Sequence, residues 1–193
     1  MTESLRALAD RVGADLQTLE DRIRVEGERR LKIRFPRGFL RKAECFRAQY
    51  WFIRDENLRR NIAYTLILSD VYRWILNRTD LWGTAREMII KEGVCLIGAL
   101  CESITKDAAK DICSEKAGLK RRTAAMTQQG MISSEEKKAV DDLWDWRNRQ
   151  HLFLLNDWEY NKYTLKQYND AIRTLRGLRM ALDNYFRNME TPF

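Results

Sequence analysis

Residues 133–152, SSEEKKAVDDLWDWRNRQHL, are the stretch from which this chain is best read. Ser133 and Glu136 stand three apart ahead of an amphipathic run. That is the spacing of a capping box, in which the serine side chain takes the glutamate's backbone N–H and the glutamate reaches back to the serine's. Leu143, Trp144 and Trp146 anchor the apolar side of the helix that follows, which the pattern carries to about 152–155. On that helix Arg147 and His151 lie at i and i+4 and point the same way. His151 is the only histidine in the 193 residues. A guanidinium beside an imidazole suits phosphate chemistry, since one holds the anion and the other moves a proton near neutral pH. The alternative is a packed histidine, or one that caps the last carbonyls of its helix.

Composition points to an all-α fold. With only two prolines and nine glycines, the chain lacks the turn residues that a strand-rich protein needs. Six tryptophans and a hydrophobic fraction of 45% supply a core without staples. Cys45, Cys95, Cys101 and Cys113 form no Cys-x-x-Cys pair, and a single histidine cannot complete a cysteine–histidine zinc set. They are expected as buried free thiols, with no metal and no cofactor. No apolar run reaches the roughly 20 residues of a membrane span, and no signal segment opens the chain. The expectation is a soluble, cytoplasmic protein with no membrane partner.

The net charge of +7 is local. Between residues 29 and 47, Arg29, Arg30, Lys32, Arg34, Arg37, Arg41, Lys42 and Arg47 face a single acid, Glu44. Their excess equals that of the whole chain. Phe35, Phe39, Phe46, Tyr50, Trp51 and Phe52 accompany them. Cations that track phosphates and rings that stack bases are what a single-stranded nucleic-acid surface uses, so Arg34, Arg37, Arg41 and Lys42 are candidate RNA contacts. The competing reading puts the rings in the core and leaves the arginines solvated. Lys120, Arg121 and Arg122 form a smaller basic cluster that reads as a solvated face.

Elsewhere the helical period recurs. Ser4 caps a first helix whose seam is Leu5, Leu8, Val12, Leu16, Leu19 and Ile23, expected to pack within the chain rather than as a coiled coil. Further helices are expected over about 37–53, 57–78, 80–106 and 119–129. The second of these is read as buried through Leu58, Ile62, Leu66, Ile67, Val71, Trp74 and Ile75, and the third as capped by Asp80. Thr164 and Gln167 form a second capping box. It opens a last helix with Tyr168, Ile172, Leu175, Leu178, Leu182 and Tyr185 facing inward. Leu143, Trp144, Leu175 and Leu178 should share one core.

The order of these parts resembles the HEPN superfamily of small helical bundles. The carriers are a long helix containing Glu87 to Glu102, a helix ending Gln129-Gly130-Met131-Ile132-Ser133, and a capped helix ending Arg147-Asn148-x-x-His151. A loop and a last amphipathic helix follow. The likeness covers about 80–188. It implies a HEPN-like bundle over 80–193 with an N-terminal helical extension, 1–79. In this chain three residues separate the arginine from the histidine, one fewer than the four to six usual in the family.

The resemblance implies a metal-independent endoribonuclease whose site forms at a homodimer interface, acting as a toxin or phage-defence effector beside an antitoxin protein. His151 would move the proton, Arg147 would hold the phosphate, Asn148 would orient the histidine or a phosphate oxygen, and Arg149 would be a second RNA contact. The alternative is a non-catalytic HEPN-like module that binds RNA or a protein and dimerises. Asp141, Asp142 and Asp145 read as surface charges before they read as a magnesium site.

Overall fold

The computed structural model describes residues 3–28, 30–148, 158 and 161–190. Among them there are seven helices and no strand: α1 (Leu5–Glu26), α2 (Ala43–Gln49), α3 (Glu56–Arg78), α4 (Gly83–Ala108), α5 (Leu119–Gln128), α6 (Ser134–Asn148) and α7 (Leu165–Glu190). Two compact units result, Met1–Arg37 and Gly38–Phe193. The resemblance suggested a division after residue 79. By packing, the division falls between Arg37 and Gly38, because Phe46, Tyr50, Ile62 and Leu66 share one buried cluster with Ile90, Leu143 and Leu178.

The first unit is α1 with a short basic tail. Ser4 accepts the Ala7 backbone N–H at 3.1 Å, and Gly27, at φ 73°, ends the helix in the left-handed conformation. Within its own unit α1 has no partner helix, and none of its residues is buried. The seam expected to be covered stands open, with Leu5 85% exposed and Leu8, Val12 and Leu16 exposed as well.

In the second unit α4 is central and packs against α3, α5, α6 and α7, while α2 lies on α3. Gly93 permits a close approach of α7: a Cβ there would meet the Tyr168 ring at 2.7 Å. The capping boxes form as expected. The Ser133 N–H donates to Glu136 Oε2 at 2.7 Å, and the Thr164 N–H to Gln167 Oε1 at 2.6 Å. Leu143, Leu175 and Leu178 lie in one core with Trp144 packed against it.

Several expectations are corrected. The helix over 37–53 shrinks to the seven residues of α2, and the chain turns after Gln49 with Tyr50, Phe52 and Ile53 all buried. The buried stripe of α3 is Ile62, Ala63, Leu66, Ser69, Asp70 and Leu76, rotated from the expected one to take in two polar residues. Trp82, not Asp80, is the cap position of α4. Of the thiols, only Cys101 is buried, and Cys45 is exposed. Burial pushes the Cys101 thiol up to about 12. Among the described residues no helix is long and apolar enough to cross a membrane.

Candidate functional site

The end of α6 carries the first two members of the arginine–histidine motif. Arg147 is held from three sides. Its stem lies along α4 at Gly98, where a Cβ would stand 3.2 Å from Arg147 Cδ and 3.3 Å from its Cβ. Its guanidinium carbon is 4.9 Å from the centre of the Trp144 ring, one turn back, within cation–π range. Its Nη1 is 3.5 Å from Glu102 Oε2, one turn beyond Gly98 on α4. The side chain remains 28% exposed, so an anion can still reach it. Asn148 is the half-buried last residue of α6. Arg149 and His151, and the expected continuation of the helix to 152–155, lie outside the described residues.

Glu102 also attracts Arg122, the third residue of the Lys120-Arg121-Arg122 cluster. That cluster splits. Lys120 is exposed and pairs with Asp145 of α6 at 2.7 Å, whereas Arg122 is only 5% exposed. Its buried Nε has no hydrogen-bond partner, and burial pulls the guanidinium below its ordinary value, the Glu102 attraction opposing this. Arg122 is the functional candidate that the sequence reading passed over. The available signal was its place in the stripe Leu119, Arg122, Thr123, Met126, which has helical spacing and is wholly buried.

The acidic residues of α6 are already served. Asp141 accepts from Thr123 Oγ1 at 2.7 Å and from Lys137 at 2.6 Å, Asp142 pairs with Lys138, and Asp145 pairs with Lys120. Among the described residues no three His, Cys, Asp or Glu side chains gather as a metal site.

The basic segment divides between the two units. Arg34 and Arg37 are exposed in the first. In the second, Arg41 is committed: its Nη2 and Nε reach the carboxylate of Asp70, itself 2% exposed, at 2.6 and 3.0 Å. Lys42 is exposed ahead of α2. Phe46, Tyr50 and Phe52 are core residues, and Phe35 is exposed. The rings therefore belong mostly to the core, as the alternative reading had them.

At the far end of α4, Glu87 accepts the backbone N–H groups of Asn161, Lys162 and Tyr163 at 3.0, 2.9 and 3.2 Å. These bonds hold its carboxyl below the ordinary value, that from Lys162 most strongly. They also fix the turn ahead of α7, where Asn161 has a positive φ of 56°.

No protein-family model matches the chain, and neither a curated protein nor a solved structure matches it. The class is therefore defined by architecture alone. It is an all-α bundle with a central helix whose Glu102 pairs with Arg147 of α6 and attracts Arg122 of α5 across space.

Proposed function

We propose that this chain is a HEPN-type, metal-independent endoribonuclease that works as a homodimer in a toxin or phage-defence setting. The observation that carries the reading is the seating of Arg147. A packed stem, a ring beneath the guanidinium and a single carboxylate at 3.5 Å fix its direction while leaving it open to an anion. In the proposed reaction His151 takes the proton of an RNA 2′-hydroxyl. The 2′-oxygen bonds to the adjacent phosphorus, the bond to the 5′-oxygen breaks, and that oxygen leaves with a proton taken from water. Arg147 holds the charge that grows on the phosphate oxygens. Asn148 and Arg149 complete the phosphate contacts, and an antitoxin protein would restrain the activity.

A second reading has its own observation. Arg147 already has an ion-pair partner in Glu102, which also suits a non-catalytic module that binds RNA or a partner protein. The separating experiment uses a broad RNA panel in the presence of a divalent-metal chelator. The enzyme reading expects cuts with 2′,3′-cyclic phosphate ends. It also expects a rate that titrates within about a unit of 6.5, the ordinary histidine value, and its loss in His151→Ala at unchanged helical content. Wild type that binds RNA but leaves it intact replaces the enzyme with the module. Sedimentation that shows only monomer at high micromolar concentration removes the shared groove.

A further inference from the structure

A cleft of about 720 Å³ opens beside Arg122, lined at its rim by Lys106 and Lys110 and on one wall by Leu58 and Ala109. The guanidinium inside it is in an uncommon position. Buried charges are paired as a rule, because an unpaired one loses its hydration with nothing to replace it. Arg122 is 5% exposed, yet among the described residues no ion pair or hydrogen bond of its guanidinium is found, and its buried Nε has no partner. Glu102 attracts it only across space.

We propose that this cleft is a binding site for a phosphomonoester, with the phosphate on Arg122 and the organic body against Leu58 and Ala109. Three observations select this class. The buried donor is a guanidinium, whose fork matches the oxygens of a phosphate. Lys106 and Lys110 are exposed at the rim and have no carboxylate within ion-pair distance among the described residues, so two further cations face the opening. The space is larger than a bare phosphate needs and in the range of small-molecule sites.

Three acids also line the cleft, and they decide its net field. Asp55 is spent as the cap of α3, accepting the Asn57 and Leu58 N–H groups at 2.9 and 3.1 Å. Asp107 accepts the Arg54 N–H at 3.3 Å, while the Arg54 side chain pairs with Asp111 at 2.7 Å. Glu115 is exposed. The buried end of the cleft therefore belongs to Arg122.

The site does not depend on ribonuclease activity. Its test is calorimetric titration and thermal melting of the full chain with inorganic phosphate, adenosine monophosphate and adenosine. Phosphate and the monophosphate are expected to bind and raise Tm, the monophosphate more, and adenosine to do neither. A 5′-phosphorylated oligoribonucleotide compared with its 5′-hydroxyl counterpart tells a free phosphomonoester from an RNA end. A gain confined to the phosphorylated strand assigns the RNA end, and no difference assigns the free molecule. Arg122→Met should weaken monophosphate binding about tenfold or more and leave the unliganded protein as stable as wild type or more so, since it removes an unpaired buried charge. Lys106→Gln with Lys110→Gln, both on the surface, should weaken it several-fold without touching the core. Absence of phosphate binding in wild type, or equal binding by Arg122→Met and wild type, overturns the proposal.

Discussion

Arg147 and Arg122 both lean on Glu102, from opposite circumstances. Arg147 is 28% exposed and richly held, by a ring, a carboxylate and the backbone at Gly98. Arg122 is 5% exposed and held by no directional contact. A partly solvated cation can keep its charge at small cost while its direction is fixed, which is what a phosphate clamp in a reaction needs. A buried cation without a partner is a site that waits for its counter-ion. One carboxylate can serve both only because it is itself half-exposed and weakly committed, its shortest contact to Arg147 being 3.5 Å.

The largest effect expected is on Arg147. If the ribonuclease reading holds, Arg147→Ala should slow RNA cleavage by about 10²–10³-fold, the usual consequence of removing one charge-stabilising donor. Its stability cost should be about 1 kcal/mol, because an ion pair at 3.5 Å that solvent still reaches contributes little. The inverse pattern, intact cleavage with a large loss of stability, would make Arg147 a packing residue and dissolve the contrast with Arg122.

Next comes the shared carboxylate. In a double-mutant cycle of Glu102→Gln with Arg122→Met, the interaction should exceed that of Glu102 with Arg147, because solvent and salt screen a buried guanidinium less. The cycle with Arg147→Ala should give about 0–1 kcal/mol, the range of exposed pairs. Chemical denaturation of the four variants of each cycle measures both. Equal couplings would mean that burial does not distinguish the two arginines.

These contrasts were unevenly legible in the sequence. Caps were readable because they need only two residues at a fixed spacing, as at Ser4, Ser133 with Glu136 and Thr164 with Gln167. The core face of α7 was readable because Leu175, Leu178 and Leu182 keep an unbroken period. Buried charge was not. Asp70 and Arg122 occupy positions of a buried stripe, but a polar side chain there breaks the apolar pattern from which the stripe is inferred. Arg73, one turn on, stands 3.7 Å from Asp70, but the short contacts come from Arg41, 29 positions earlier, and no local pattern announces so distant a partner. The length of α2 was hidden for a related reason: the aromatic residues Tyr50 to Phe52 carry no breaker, and nothing local marks the turn that follows Gln49. For the motif itself, the described residues reach Asn148, so the sequence remains the sole source for His151.

A smaller effect tests how Arg147 is seated. At Gly98 an added Cβ needs the arginine stem to give by a few tenths of an ångström, and an alanine gains about 1 kcal/mol in helix propensity. Gly98→Ala should therefore change Tm little while displacing Arg147, which shows as loss of cleavage or RNA binding. Gly93 on the same helix is the control. Its Cβ would meet the Tyr168 ring at 2.7 and 2.9 Å, so overpacking of about 1–3 kcal/mol should outweigh the gain in propensity. Thermal melts of the two alanine variants should thus differ, with Gly93→Ala the less stable. The seat at Gly98 loses its meaning if Gly98→Ala is indistinguishable from wild type in every RNA assay.

The smallest effect is at the opposite end of α4, where a carboxylate serves backbone donors instead of arginines. Glu87 takes three N–H groups from residues 161–163, and these bonds depress its folded value below the ordinary 4.5. The sign follows from linkage. A depressed folded value means that the unfolded chain binds the proton more readily. The contribution is then complete above about the ordinary value and is lost as pH falls through the lower folded value. Wild type should lose stability across that acid window faster than Glu87→Gln, so the Tm gap between them narrows from neutral pH toward pH 3. Hydrogen exchange at the Asn161, Lys162 and Tyr163 amides reads the same bonds directly, and in Glu87→Gln their protection should drop at neutral pH. A Tm gap that holds constant from pH 7 to pH 3, with those three amides equally protected in both proteins, would show that the turn ahead of α7 is fixed by its own conformation and that Glu87 only decorates it.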